Sequence, residues 1–400
     1  MKPRSIIASI ALSALSAPLA AESAATNFQT PSAHSETISD LSQFAPAANR
    51  KEHRIDYEFL DDALGWLVIP MGPSIREGAP RVTPGTGTRF IYGHTSRYRL
   101  EGNRVAFSHF DSQKMSTLTE YRLDLERIGT ELDLTTLPRN EQLAFWLNLH
   151  NVAVIEALAA NYPLRDPSEG PFGANEAGLQ DAKLVTVRGV ALSPRDIRER
   201  IVFANWKDPK VMYGFWRGEI GGPSIQRLAF TGSNVDQLLA LSAEEFVNSL
   251  RGVEGFNGKL RVSRIFEEAQ PFFFSQEADL RSHLTQFAND DVKSLMAKYE
   301  STAFNRYETD IADLVFGRAD PGLNFVCPSN NFGHPTTSGS NINSATGCQD
   351  QATRPNRAAA RLMKERQEKL VKAYKRGIRS GTVIYGDGAY PDGEGAKEVE

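Results

Sequence analysis

The sequence has little excess charge and few of the motifs that would identify a cofactor. It carries 45 basic and 49 acidic residues, a formal net charge of −4, so no overall field would hold a polyanion and nucleic-acid binding would need a local basic patch. It contains no Walker loop, no dinucleotide fingerprint after a strand, no His-Glu-x-x-His and no Gly-x-Ser-x-Gly. Seven histidines, none of them paired at ligand spacing, disfavour a metal site. No cofactor or metal is expected, while a pair of acids for glycoside hydrolysis stays open, because its spacing is spatial rather than sequential.

Long apolar runs are also scarce, apart from one at the N-terminus. Lys2 and Arg4 precede the run from Ile6 to Ala17, and small residues follow from Ala20 to Ala25. This layout predicts a signal peptide over residues 1–25, and the run is shorter than the roughly 20 residues of a membrane span. An uncleaved anchor or a disordered tail is the alternative. We expect export to a periplasm or outside the cell, a flexible leader over residues 26–50, and no transmembrane segment in the mature chain.

The chain has only two cysteines, Cys327 and Cys348, both in a segment rich in Asn, Ser, Thr and Gly. In an exported protein this pattern predicts a structural disulfide, which would stabilise a loop of about 20 residues by roughly 3 kcal/mol. The alternative is a thiolate nucleophile near His334.

Residues 51–318 have the composition and periodicity of an α+β domain. With 40% hydrophobic and 24% charged residues, the chain can bury a sizeable core. Spacing and turn signals predict helices packed on a small mixed or antiparallel sheet. The predicted helices run from Ile55 to Trp66, from Leu118 to Leu132, from Asn140 to Asn161, from Ser193, from Ser242, and within 277–314; the predicted strands are hairpins over 89–107 and 184–192 and a buried strand from Val211 to Trp216.

Residues 319–400 form a C-terminal extension of different composition: the cysteine loop, a basic helix and an acidic tail. Between Arg354 and Arg379 there are ten basic residues and two acidic ones. Such a run is typical of a segment that contacts an anionic partner, and equally of a solvated helix face.

Several ordered blocks in the centre of the chain resemble one known family. They are Asn140-Glu-Gln-Leu-Ala-Phe-Trp-Leu-Asn-Leu-His-Asn151 with Asn161-Tyr-Pro163, the block 185–197, Asp208-Pro-Lys-Val211, Pro223, and Leu260-Arg-Val-Ser-Arg-Ile-Phe266. Over roughly residues 115–275 the chain resembles domain of unknown function 547. The resemblance implies a cysteine-hydrolase-like architecture, with histidine at position 212 and cysteines at positions 217 and 222. This chain has Met212, Arg217 and Gly222 there, so the implied thiolate and imidazole pair is missing.

The helix that begins near Asn140 carries three polar residues in one sector. On an ideal helix, Asn148 lies about 20° and Asn151 about 80° from Glu141. Buried carboxamides of this kind either hold loop backbone or line a pocket that orients a ligand. His150 lies about 180° from Glu141, which predicts a packed or surface-facing ring apart from this sector.

The glycine-rich turn after position 216 is the other candidate site. Arg217 and Glu219, beside Tyr213 and Trp216, are expected either to line a ligand cleft or to form a salt bridge at a strand end. The interpretation drawn from these residues is an exported, non-catalytic binding or scaffolding protein. The alternatives are a hydrolase or transferase on an envelope polymer, with Glu141, His150 or Glu219 as acid or base, and an interaction module that uses the basic C-terminal helix.

Overall fold

The computed structural model describes residues 39–47, 53–78, 96–305, 307–317 and 357–378. Within these ranges, the chain combines helices with three small sheets, which confirms the predicted α+β class. The α-helices are α1 (Glu58–Leu67), α2 (Ser112–Glu131), α3 (Arg139–Ala160), α4 (Val235–Val247), α5 (Ile265–Phe273), α6 (Glu277–Phe287), α7 (Asp290–Lys298) and α8 (Arg357–Lys375). The predicted signal peptide, both cysteines and the acidic tail lie outside the described residues.

Helix α3 forms the centre of the domain, and α2 packs against it with most of its own residues outside the core. The Asp111 side chain caps α2 by accepting a hydrogen bond from the Lys114 N–H at 2.9 Å, which satisfies one of the unpaired donors of the first turn. Helix α3 is apolar on nearly every side and is buried over most of its length, as expected of a core helix. Among the described helices, α3 alone is long and apolar enough to cross a membrane, and 78% of its most apolar window is buried inside the protein.

The sheets are short and mostly antiparallel. The strands are β1 (Val68–Ile69), β2 (Arg104–Val105), β3 (Val185–Val187), β4 (Val190–Leu192), β5 (Val253–Phe256), β6 (Lys259–Val262) and β7 (Thr302–Phe304). Strands β1 and β2 pair, β3 and β4 form the predicted hairpin, and β7 joins the β5–β6 hairpin in parallel with β6.

Three predictions of local structure were wrong. The described part of the segment 89–107 is a turn followed by β2, which pairs with β1 rather than with a neighbouring hairpin strand. Ser242 does not begin a helix: it lies within α4 and its hydroxyl donates to the Leu238 carbonyl at 2.7 Å, a bond that also suits serine in a helix interior. The third is the strand predicted from Val211 to Trp216.

Residues Pro209–Gly214 form a 3₁₀ helix instead of that strand. The Asp208 side chain accepts a hydrogen bond from the Lys210 N–H at 2.9 Å, and Pro209 occupies the first turn. These are helix-start signals. They outweigh the β-propensity of the valine and aromatic residues that follow, which measures mainly how well such side chains pack.

Helix α8 packs on the domain rather than standing apart from it. Its Leu362 is buried in a cluster with Met71, Ala106 and the residues 314–316. On the same side, Lys369 is fully buried and pairs with Glu101 at 3.0 Å. The predicted basic helix is therefore confirmed, and one of its faces is buried in the interior of the protein.

Candidate functional site

The two asparagines of α3 both bind the backbone of loops that pack on the helix. Asn148 donates to the Phe230 carbonyl at 2.7 Å and accepts from the Phe230 N–H at 2.9 Å. Asn151 donates to the Gly214 carbonyl at 3.0 Å and accepts from the Trp216 N–H at 2.9 Å. A small cavity beside them, also lined by Leu60, Leu64 and Phe230, has a volume of about 10 Å³, which is room for roughly one water molecule.

Glu141 lies in the first turn of α3 and faces the loop that contains Gly232. The glutamate is 4% exposed, and burial raises the pKa of its carboxyl group, while the Gly232 and Ile55 N–H groups counter part of that rise. A Cβ at position 232 would lie 2.4 Å from the Glu141 Oε1, so the glycine makes room for this carboxyl group. No contact in the described part of the chain joins Glu141 to Arg217 or Glu219.

His150 is fully buried and takes part in a hydrogen-bond chain. Its Nδ1 lies 3.0 Å from the Asn151 Oδ1 and its Nε2 lies 3.1 Å from an Arg198 nitrogen. Because the guanidinium can only donate, Nε2 accepts and Nδ1 carries the proton. Burial, and secondarily the charge of Arg198, holds the imidazole pKa well below its usual value. The prediction that His150 lies apart from the asparagine sector was wrong, because the His150 ring is hydrogen-bonded to the side chain of Asn151, the next residue in the helix.

Arg217, at the position where the family resemblance implies cysteine, lies on a carboxylate from a distant element. Its Nη2 donates to the Glu268 Oε1 at 2.7 Å. Arg198 holds the same carboxylate with two nitrogens, Nε at 2.9 Å and Nη2 at 3.2 Å, a two-pronged contact of the strong kind. Burial alone would raise the pKa of Glu268, but Arg198 and Arg217 outweigh burial and hold it well below its ordinary value.

We call Arg198, Arg217, Glu268 and Glu219 the arginine–glutamate cluster. Three separate elements carry its residues. Arg198 belongs to the π-type helix Asp196–Phe203, Glu268 belongs to α5, and the other two residues lie in the turn after the 3₁₀ helix. The segment 307–312 runs beside that turn and is hydrogen-bonded to it through the backbone. The Ile220 N–H donates to the Asp310 backbone carbonyl and the Gly221 N–H donates to the Glu308 backbone carbonyl, both at 2.8 Å.

Glu219 has the most unusual protonation in this cluster. It is 7% exposed, and burial raises the pKa of its carboxyl group to about 7, with the Tyr307 hydroxyl and Arg217 countering part of the rise. A carboxyl group that is partly protonated near neutral pH can donate as well as accept a proton. Glu219 is thus the residue of this cluster with acid–base capacity.

The two aromatic residues predicted to join Arg217 in a cleft lie elsewhere. The Tyr213 hydroxyl contacts the His283 Nε2 at 2.8 Å, and the two rings stack at an angle of 8°. Trp216 is 1% exposed and packs on Phe107, with ring centroids 6.2 Å apart. The structure therefore brings Arg217 and Glu219 together and leaves both rings in the core.

Positions 217 and 222 are neighbours across the turn. A Cβ at Gly222 would lie 3.5 Å from the Arg217 Cβ and 3.0 Å from the Tyr307 hydroxyl. The first of these distances lies within the range between bridged cysteines. A cysteine at each position would be close enough for a disulfide, and Gly222 leaves that space without a side chain.

Sequence reasoning missed Arg198, Glu268 and Tyr307. Arg198 stands in an alternating charged run, Arg195-Asp-Ile-Arg-Glu-Arg200, which is typical of an exposed helix face, and Glu268 follows another glutamate directly. No local signal distinguishes these residues from solvated charges. In the described part of the chain no three His, Cys, Asp or Glu residues are grouped as metal ligands.

The fold and the site together define the class of protein. It is an α+β domain with a buried arginine–glutamate cluster at a glycine-rich turn. Residues 134–247, in the central region of the chain, match the family model described as protein of unknown function, DUF547. The match covers α3, the β3–β4 hairpin, the turn at Arg217 and α4. No curated protein and no solved structure matches the chain.

Proposed function

We propose that this chain is an exported binding or scaffolding protein whose DUF547 domain does not catalyse a reaction. The observation that carries the proposal is the ion pair between Arg217 and Glu268, with nitrogen and oxygen 2.7 Å apart. A guanidinium has no lone pair to attack a carbonyl and stays protonated in proteins. It occupies the position where the family resemblance implies a thiol, and Met212 occupies the position of the implied imidazole.

Export is part of the same proposal. It is supported by the basic residues Lys2 and Arg4, the apolar run that follows them and the small residues up to Ala25. The disulfide predicted between Cys327 and Cys348 would also suit an oxidising compartment.

The second candidate is a hydrolase or transferase, and one observation favours it. Glu219 has a pKa of about 7 and a neighbouring guanidinium, Arg217, a combination suited to a general acid. Among the three predicted acid–base residues, His150 is fully buried. Glu141 has no contact with Arg217 in the described part of the chain. The catalytic alternative therefore depends on Glu219.

Assays of the purified chain against ester, peptide and glycoside substrates between pH 5 and 8 test the proposal. Wild type and Glu219→Gln should both remain at the buffer background for every substrate. Glu267→Gln, an exposed neighbour of the cluster whose side chain is 48% exposed, controls for unspecific effects of losing a carboxylate. A substrate that wild type converts, and that a folded Glu219→Gln converts at least tenfold more slowly, would replace the proposal with the catalytic alternative.

The interaction module at α8 has less support from the contacts. Four of its cationic residues, Arg366, Lys369, Lys372 and Arg376, bind groups of the chain's own domain. Cations paired in this way offer a polyanion less charge than the sequence suggested. An anionic partner for residues 354–379 would depend mainly on exposed side chains such as Lys364 and Lys375.

A further inference from the structure

Two large aromatic side chains are exposed on one side of α1. Phe59 is 53% and Trp66 is 54% exposed, and because they are seven residues apart they lie about 20° from each other around the helix axis. The Phe59 ring lies 5.6 Å from the Tyr121 ring of α2, and the Lys114 Nζ lies 5.2 Å from the centre of the Trp66 ring. Lys114 is itself paired with Asp111. Both rings therefore lean on α2 and still keep about half of their surface in solvent.

The surroundings of these rings are acidic. Residues 55–67 contain four acidic residues and no basic one. Three of the acids, Asp56, Glu58 and Asp62, are exposed, and Asp62 lies about 60° from Phe59 around the helix. We call Phe59, Trp66 and these three acids the α1 face.

Helix α8 presents an outer face with the opposite charge. Met363, Val371 and Tyr374 are exposed, and Tyr374 is 86% exposed; the three lie within a sector of about 80° around the helix. Lys364 and Lys375, both exposed, flank that sector at about 100° and 120° from Met363. The ion pairs of α8 in the described part of the chain use other residues. We call these five residues the α8 face.

The two faces complement each other in charge and in apolar content. The α1 face carries three carboxylates, and the α8 face carries two lysines with one exposed acid, Glu368, beside them. The opposite side of α8 is already occupied, because Leu362 and Lys369 are buried against the domain. Opposite charges around an apolar centre are typical of a specific interface, in which the centre supplies affinity and the charges supply register.

The two faces also lie near each other on the surface. Arg366, in the middle of α8, donates to the Pro70 carbonyl, and Pro70 follows Trp66 by four residues. Four residues of extended chain span at most about 14 Å. Two copies can therefore place each α1 face on the α8 face of its partner at the same time around a two-fold axis, which closes the pair instead of extending a filament.

We propose that the α1 face of one copy binds the α8 face of a second copy, so that the chain is a two-fold symmetric dimer in solution. Phe59 and Trp66 pack on the apolar sector of the partner's α8 face, and the acids around them pair with its lysines. This proposal goes beyond the binding or scaffolding role proposed above and does not depend on it, since a catalytic chain would dimerise in the same way.

Sedimentation equilibrium of the purified chain, at concentrations between about 1 and 200 μM, measures the dimer. Wild type should be dimeric at the upper concentrations. Trp66→Ser should weaken the association at least tenfold, because a tryptophan at the centre of an interface carries much of the binding energy. Leu123→Ser removes a side chain of similar exposure, 49%, which lies about 160° around α2 from Tyr121, and should dimerise like wild type.

Exchanging the charges identifies which faces meet. Glu58→Lys with Asp62→Lys reverses the α1 face, and Lys364→Glu with Lys375→Glu reverses the α8 face. Each double variant alone should associate at least tenfold more weakly than wild type, because both of its contacts bring like charges together. Mixed in equal amounts, the two variants should form a heterodimer of nearly wild-type affinity, since one contact is then reversed on both sides and the other is native.

The control for these exchanges is Lys293→Glu with Lys298→Glu, at two exposed positions of α7, which should dimerise like wild type. A monomeric wild type over the whole range, a dimer that Trp66→Ser does not weaken, or a mixture without recovery would each overturn the proposal. A monomeric wild type that binds vesicles of anionic lipid through Lys364 and Lys375 would put a membrane surface in place of the second copy. None of these outcomes bears on turnover, so the substrate assays above test the proposed function separately.

Discussion

At the scale of single residues, Glu219 contributes a pH dependence to the stability of this protein. Its folded-state pKa is about 7, above the ordinary 4.5 of a glutamate, so the folded state binds the proton more tightly than the unfolded chain does. The contribution is fully present below pH 4.5 and is lost as the pH rises through 7. Glu219→Gln cannot lose it, so its stability relative to wild type should rise by up to about 3 kcal/mol between pH 4.5 and 8.

Urea unfolding at pH 4.5, 6 and 8 measures this difference. Glu267→Gln, the exposed neighbour of Glu268 on α5, should differ from wild type by less than about 0.5 kcal/mol at all three values. A constant difference between Glu219→Gln and wild type across this range would show that Glu219 titrates normally.

At the scale of elements, α3 holds its neighbours through carboxamides as well as through apolar packing. Asn148→Ala would leave the Phe230 N–H and carbonyl without their partner, both of them buried. Such unpaired groups cost about 1–3 kcal/mol, and we expect a loss of that size in thermal or urea unfolding. Asn161→Ala, an exposed position at the end of the same helix, should cost less than about 1 kcal/mol. Equal losses in the two variants would argue that the side chain of Asn148 contributes no more than a surface amide.

The same element shows what the sequence could and could not reveal. Apolar spacing and the Tyr162-Pro163 stop predict α3 to within a residue, and helical geometry places Glu141, Asn148 and Asn151 in one sector. The 3₁₀ helix Pro209–Gly214 was misread because its Val211 and Tyr213 are residue types that pack well in strands. The partner of Arg217 could not be predicted, since Glu268 lies 51 positions away and only tertiary packing selects it among many charged residues.

At the scale of the whole molecule, α8, the last described helix, is attached to residues 70–77 and to Glu101. Lys369 donates to the Glu101 carboxylate at 3.0 Å and to the Gly72 carbonyl at 3.2 Å, and both side chains of the ion pair are almost completely buried. Around this pair, Lys372 and Arg376 bind Glu77 at 2.9 and 3.1 Å. Burial lowers the pKa of Lys369 and Glu101 opposes that effect. Separating the partners would leave one buried charge unpaired.

Lys369→Met keeps the length of the side chain and removes its charge, which leaves the Glu101 carboxylate without its cation. Breaking a buried pair in this way costs about 3–5 kcal/mol, unless α8 detaches and lets water reach Glu101. In the first case the whole domain loses stability in urea; in the second, amide hydrogen exchange accelerates in α8 and around Gly72 while the rest of the domain keeps its protection. Lys364→Met, at an exposed position of the same helix, should produce neither effect. If Lys369→Met matches Lys364→Met in both measurements, α8 does not depend on this ion pair for its attachment, and the basic residues of the helix regain their interest as a surface for an anionic partner.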